Sequence, residues 1–374
     1  MSSRALLSTE LSPRGDLARL LERRYNIERA VPVSRAALGL RAVLEYWRER
    51  RGVGRVALPG AICHEVVVAV LAARCEPIFC DVDPADGLVP QSEWLRARSV
   101  GAEVAVVVHL YGNPADLEVV KTIFPAPDCL VIDDAAQALG SHGTTCEAGA
   151  GGDVGLLSFG PTKHIAVGNA ALLFKSAEIA EEVGLRLRRT TPQPSATRGA
   201  LAEGFRARLE IARARLRGGS DEGSAPFAGL LEGLEPMLAT PYSPDAEPST
   251  VRALLGYAAA AQIRVEKKEL WSRGLAGTGL EPVGMSDGCV PWRYACRMPG
   301  LDWPGQHRIA ETLRSAGLHV SNWYLPAHWF LGQPAGALPG VERLAREVFQ
   351  FWLDESAAPD AIVRESGIVR RVMS

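Results

Sequence analysis

The stretch CLVIDDAAQALGSHGTTCEAGAGGDVGLLSFGPTKHIAVGNAALLF, Cys129 to Phe174, decides how the rest of the chain is read. A short apolar run, Leu130-Val131-Ile132, ends on two carboxylates, Asp133 and Asp134. Small residues follow, Ala135 to Gly140, with Gln137 among them; they read as a turn into a helix. A Gly-rich connection (Gly149 to Gly155) leads to a second apolar run, Leu156-Leu157-Ser158-Phe159, and then to Gly160-Pro161-Thr162-Lys163-His164. A third run, Asn169 to Phe174, closes the unit. Buried-type strands with polar groups only at their ends are how α/β enzymes present chemistry from a rigid sheet.

Each of these residues also has an ordinary reading. A lysine in a Gly-Pro loop is usually a solvated charge. Asp134 suits the N-cap of a helix starting at Ala135, where its negative charge is favoured. The combination is more specific than its parts: an acid at a strand end, a Gln three residues on, and Ser-x-x-x-x-Lys at the end of a neighbouring strand.

At these residues the sequence resembles the DegT/StrS group of pyridoxal-phosphate-dependent sugar aminotransferases, through VIDDAAQALG and GDVGLLSFGPTKHI. ALPGAICHEVVVAVLAARCEPIFCDVDP (Ala57 to Pro84), VVVHLYGNPADLE (Val106 to Glu118) and WYLPAH (Trp323 to His328) match further blocks in the same order, so the resemblance runs from about Ala30 to the C-terminus. It implies a fold-type-I, aspartate-aminotransferase-like α/β architecture with pyridoxal 5′-phosphate as cofactor. Lys163 is then the Schiff-base residue and general base, because a desolvated lysine is the usual amine for that task. Asp134 is the partner that keeps the pyridine nitrogen protonated. The resemblance further places Gln137 near the ring hydroxyl and Ser158 on the cofactor phosphate.

Length and composition agree with such an enzyme. At 374 residues the chain exceeds the usual single core. We expect a large cofactor domain over 1–247, with a variable loop at about 192–247, and a linking helix plus small domain over 248–374. A net charge of −2 gives no electrostatic grip on nucleic acid. Seven irregularly spaced cysteines suit reduced thiols in a cytoplasm. No signal-peptide core is visible and no run approaches the roughly 18 apolar residues of a membrane span. No metal site is expected.

Along the chain, a helix starts at Ser12-Pro13 and runs through Leu20 to Arg24, followed by a strand near Ala30 to Val33 and a helix over Ala36 to Arg50. Strands at Arg55–Leu58, Pro77–Val82 and Val104–Leu110 alternate with helices at His64–Arg74, Gln91–Arg98 and Ala115–Phe124. That alternation reads as a largely parallel sheet covered by helices on both faces. A long linking helix is expected over Val251 to Glu269, with helices at Pro304–Ala316 and Val341–Phe351 in the smaller domain.

Several positions depart from the family. Its phosphate-binding Gly-Thr is here Ser34-Arg35, at a strand-to-helix turn where helix amides cradle phosphate. A Ser hydroxyl and an Arg35 guanidinium are both able to replace that contact, although Arg35 also reads as a solvent-facing charge. The ring that stacks on the cofactor is replaced by Cys63, which leaves His64 as the nearest flat side chain. Gly-Glu-Gly-Gly after the lysine is here Gly168-Asn169-Ala170-Ala171, and the Gly-x-Asn-x-Arg block is missing. An Arg-rich helical stretch (Arg206 to Arg217) and the loop Gly218 to Ser224 occupy its place. Tyr324 and His328 of WYLPAH are the candidates for substrate contact, with an ordinary packed loop as their alternative.

The resemblance implies an aminotransferase acting as a homodimer in a biosynthetic pathway. It would take an amino group from glutamate and pass it to a keto group on a sugar or sugar-like acceptor, usually nucleotide-linked. Two rivals stand beside it. One is a pyridoxal-phosphate enzyme of different reaction type, a dehydratase or other carbanion chemistry, against which the retained Lys163 counts. The other is a degenerate cofactor-binding or regulatory paralogue.

Overall fold

The computed structural model describes residues 16–52, 54–219, 223–284, 286–322, 324–353 and 357–373. Seven strands form the large sheet: β1 (Arg29–Val33), β2 (Arg55–Pro59), β3 (Glu76–Cys80), β4 (Val104–Val108), β5 (Leu130–Asp134), β6 (Val154–Ser158) and β7 (Ala170–Phe174). Their order is β1-β7-β6-β5-β4-β2-β3. From β6 to β3 every neighbouring pair is parallel, while β7 runs antiparallel to both β6 and β1. The expected parallel sheet therefore holds with β7 as its one reversed strand.

Before, between and after these strands lie the helices α1 (Asp16–Tyr25), α2 (Ala36–Arg51), α3 (His64–Ala72), α4 (Gln91–Ser99), α5 (Leu117–Ile123), α6 (Ala177–Arg189) and α7 (Ser195–Arg217). α8 (Glu247–Leu255) and α9 (Tyr257–Leu275) follow, so the single linking helix expected over Val251 to Glu269 is divided at Gly256. A second sheet, ordered β10-β11-β9-β8, is built from β8 (Glu281–Pro282), β9 (Tyr294–Arg297), β10 (Val320–Ser321) and β11 (Val348–Phe351). α10 (Trp303–Ser315), α11 (Pro339–Glu347) and α12 (Pro359–Met373) complete the chain. The helix read as continuing to Phe351 thus ends at Glu347, and its last four residues are strand β11. Every strand of the large sheet precedes residue 248 and every strand of the small sheet follows it. Ser12 and Pro13, expected to open the first helix, lie outside the described residues.

Alternation along the strands sorts their side chains onto two faces. Val56, Leu58, Val104, Val106, Leu130, Ile132 and Leu156 pack with α2 and α3 in one buried cluster. Ala57, Ala105, Val107 and Val131 pack with α4 and α5 on the other face. Near-complete burial of both faces explains why β4 reads Val-Ala-Val-Val-Val, with no polar residue at all. The same alternation separates the two carboxylates at the end of β5. Asp134 shares the face of Ile132, and Asp133 shares the face of Val131.

The Gly-rich connection into β6 is a matter of space. A Cβ on Gly155 would lie 1.9 Å from the Gly149 carbonyl oxygen, and Gly149 itself has φ +98°. Only glycine tolerates both demands.

Candidate active site

The C-terminal ends of β1, β5 and β6 converge on one cavity of about 450 Å³. That size suits a small-molecule site, and the crevice beyond the carboxyl ends of parallel strands is its usual place. Asp134, Gln137, Ser158 and Lys163 all line it, as do Ser34, Arg35 and Tyr324. Local sequence therefore brought together seven of the nine expected residues.

Asp134 ends β5, and its Oδ1 accepts the Ala136 N–H at 3.0 Å. The helix expected over Ala135 to Gly140 does not form. Successive tight turns replace it, with the Ala138 N–H bonding the Ala135 carbonyl and the Ser141 N–H bonding the Ala138 carbonyl. Side-chain bonds explain the override of alanine propensity. Asp134 claims the Ala136 N–H, and Gln137 is fastened at both ends. Its Oε1 accepts the Tyr111 N–H at 3.0 Å, and its Nε2 donates to the Tyr324 hydroxyl at 2.8 Å.

Burial raises the Asp134 pKa above its ordinary value, opposed by the Ala136 N–H and by Lys163. Burial lowers the Lys163 pKa, opposed by Cys63, Asp134 and Glu65. Each group is thus pushed toward its neutral form by desolvation and held toward its charged form by the other. Lys163 is half-buried, with its Nζ 5.4 Å from the centroid of the Trp292 ring. The Trp292 indole N–H donates to the Thr162 carbonyl, so Trp292 also fixes the loop that carries the lysine.

His164, next to the lysine, anchors the loop from behind. Its Nε2 donates to the Gln137 carbonyl at 2.9 Å and its Nδ1 lies 2.5 Å from the Tyr257 hydroxyl. Burial pushes its pKa down to about 3, so the ring is neutral, and the single Tyr257 hydroxyl proton lies between Nδ1 and the Leu139 carbonyl, which is 2.8 Å from the same hydroxyl. On the far face of β5, Asp133 Oδ1 lies 2.7 Å from Nε2 of His109, while Asp133 Oδ2 accepts the Gly151 N–H at 2.9 Å. The Ala115 N–H donates to Nδ1 of His109 at 2.8 Å. That fixes the tautomer: the proton sits on Nε2 and points at Asp133. Asp133 is therefore a brace between β4, β5 and the glycine-rich connection, and the cavity receives only Asp134.

Ser34 follows β1, and Arg35 occupies the N-cap of α2, where no side chain caps the helix. The Arg35 guanidinium is paired with Glu65 in the first turn of α3, with 34% of its side chain still exposed. Ser158 is half-buried at the end of β6 and lies beside the cavity with Gly160.

Two expected residues lie elsewhere. His64 turns away from the cavity and packs its ring against Phe205 of α7 at 4.7 Å, whereas Cys63 and Glu65 on either side of it face inward. His328 is completely buried, with Nε2 3.0 Å from Glu342 Oε1, and does not line the cavity. Glu342 Oε1 also accepts from the Trp329 indole and the Gly336 N–H, so His328 belongs to a structural network. Trp323, which opens the same WYLPAH run, lies outside the described residues. The Cys63 thiol, pushed up to about 11 chiefly by burial, is protonated at neutral pH.

Trp292, Tyr111, His164 and Asn169 are the site residues that sequence reasoning missed. The side-chain amide of Asn169 bonds the Ser243 main chain twice, at 2.7 Å and 3.1 Å, and thereby ties the segment after α7 to the lip of the cavity. Its place in the altered Gly168-Asn169-Ala170-Ala171 segment was the available signal.

The donor set fits pyridoxal phosphate. A desolvated amine and a buried carboxylate share one cavity, with two serine hydroxyls and the uncapped N-terminus of α2 in its wall.

Comparison with known proteins shows the family and the fold. Over 364 residues the chain is 28% identical to an L-glutamine:2-deoxy-scyllo-inosose aminotransferase of Streptoalloteichus tenebrarius, covering 87% of this chain and 78% of that protein. Over 116 residues it is 31% identical to a pleiotropic regulatory protein of Geobacillus stearothermophilus, a match that spans 30% of this chain and 31% of that relative. The crystal structure of the aminotransferase TlmJ from Streptoalloteichus hindustanus superposes with a TM-score of 0.70 at 22% identity, over 96% of this chain and 91% of that one, and so shares its fold. Residues 17–212, more than half of the chain, match the DegT/DnrJ/EryC1/StrS aminotransferase family, and the chain belongs to it.

Proposed function

We propose that the protein moves an amino group from an amino acid of the glutamate type to a keto group on a sugar or sugar-like ring, with pyridoxal 5′-phosphate as cofactor. The observation that carries this reading is the convergence of Lys163 and Asp134, from the ends of adjacent strands, on one cavity in a chain of this family. When bound, the cofactor supplies an aldehyde that exchanges amino groups and a ring that withdraws electrons.

The remaining work falls to the chain itself. Lys163 offers an amine whose lowered pKa favours the neutral, nucleophilic form, and its Nζ is the atom that takes and returns a proton. Asp134 presents an anion in a dry environment, where it holds a positive charge opposite it. Ser34, Ser158 and the first amides of α2 donate to a phosphate. Gln137, already fixed by Tyr111 and Tyr324, presents its amide to the ring, and Tyr324 carries the contact toward the acceptor.

The donor reading rests on the family and on the L-glutamine named for the long-matching relative. Glutamate and L-glutamine are both to be tested. The acceptor reading is a nucleotide-linked keto sugar, with a keto cyclitol such as that relative's substrate next. We further read the enzyme as a cytoplasmic homodimer. All seven cysteines are free, and no described helix is long and apolar enough to cross a membrane.

The experiment is transfer of ¹⁵N from labelled donor to a panel of keto sugars and keto cyclitols, followed by mass spectrometry. Nitrogen in the acceptor is the expected outcome. Loss of water from a sugar without nitrogen uptake would replace the reading with a dehydratase.

A further inference from the structure

Arg35 begins α2 in an extended conformation, φ −146° and ψ 142°, with no side-chain cap on the helix. A cation at a helix N-terminus faces the positive end of the macrodipole and is electrostatically misplaced. It needs an anion. In the structure Glu65, in the first turn of α3, supplies one by pairing Oε1 with the Arg35 guanidinium. Both side chains are only partly exposed, 34% and 26%, and both line the cavity with Ser34, Ser158 and Lys163. A phosphate held at the start of α2 would meet the same guanidinium. One corner of the site thus has a single guanidinium for two anions.

We propose that Glu65 is a placeholder for the cofactor phosphate. Its carboxylate neutralises Arg35 while the corner holds no other anion, and a phosphorylated ligand must draw Arg35 away from it or share it. Glu65 then sets how much of the cofactor's affinity comes from its phosphate. The cost of breaking or sharing the ion pair offsets part of the phosphate's attraction, which favours exchange of the cofactor over permanent retention. The inference rests on the cofactor assignment above.

The test compares pyridoxal phosphate with pyridoxal, which carries the same aldehyde without the phosphate. Both are titrated into cofactor-free wild type, Glu65→Gln and Arg35→Ala, and the ratio of the two dissociation constants is the readout. Glutamine keeps the size of Glu65 and one acceptor oxygen, and replaces the charged carboxylate with a neutral amide. Glu65→Gln should raise the preference for the phosphorylated form by about tenfold, the scale of one charge-assisted hydrogen bond. Arg35→Ala should lower it by about tenfold on the same scale. Cofactor-free Glu65→Gln should also melt below wild type, because Arg35 is left uncompensated. A structural brace would reproduce that melting shift and leave the ratio unchanged; an unchanged or lowered ratio in Glu65→Gln overturns the proposal. Glu65→Ala, measured the same way, serves if the glutamine variant does not fold. If wild type captures neither compound at Lys163, the cofactor assignment itself fails.

Discussion

Gln137 donates from Nε2 to the hydroxyl of Tyr324 at 2.8 Å, across 187 positions of sequence. The bond fastens the segment leading out of the small sheet to the turn that follows β5, directly over the cavity. Tyr324→Phe removes the acceptor and leaves a buried amide donor unsatisfied, which costs about 1–3 kcal/mol. We expect a lower melting temperature and a raised KM for the keto acceptor, with the cofactor dissociation constant near wild type. Thermal denaturation, acceptor kinetics and cofactor titration on the same variant check this.

Lys163 is expected to be the residue labelled when the loaded protein is reduced with borohydride and mapped by peptide mass. Lys163→Ala should show no labelled peptide. Because burial lowers the lysine pKa, the rate of cofactor capture should rise with pH and level off below 10.5, the ordinary lysine value. A plateau reached only above that value would contradict a desolvated amine.

His328 gives the opposite pattern from Tyr324, although the two are four residues apart. Its ring is buried against Glu342, and His328→Ala leaves that carboxylate without one of its partners. The cost is about 1–3 kcal/mol of stability. KM and kcat measured below the melting transition should stay near wild type. A selective rise in KM would return His328 to the substrate.

Much of this site was legible because its chemistry is local in sequence. Asp134, Gln137, Ser158 and Lys163 lie at or just after the ends of strands that periodicity locates, and the resemblance to the family supplied their roles. Trp292, Tyr111 and Tyr257 were not legible, since each acts on the lysine loop or the Gln137 turn from a distant segment and resembles any buried aromatic. His64 was misplaced because nearness in sequence does not fix a side chain's direction at the turn into α3: the extended N-cap Cys63 (φ −63°, ψ 131°) and Glu65 line the cavity, and the histidine between them packs against Phe205. The turn at Ala135 was misread as a helix because alanine propensity is weak beside the side-chain bonds of Asp134 and Gln137. Asp116 caps α5 through the Glu118 and Val119 N–H groups, so that helix begins at Leu117 and not at Ala115 as expected from the sequence.

Asp134 separates stability from catalysis. Its folded pKa is raised by burial, so the ionised carboxylate is disfavoured in the folded, cofactor-free protein. The sign follows from linkage. The penalty is fully present above the raised folded pKa, and it is relieved as pH falls through that value toward the ordinary 3.8. Asp134→Asn removes the charge while an amide oxygen still accepts the Ala136 N–H. The cofactor-free variant should therefore be at least as stable as wild type at pH 7, and it should lose the relative gain that wild type shows on mild acidification. Turnover should fall by about a hundredfold or more, the scale of removing one preorganised electrostatic partner. Paired denaturation curves at pH 7 and pH 5, with single-turnover rates, decide the matter. A variant that is less stable at pH 7 yet turns over normally would make Asp134 a capping residue for the Ala135 turn and nothing more.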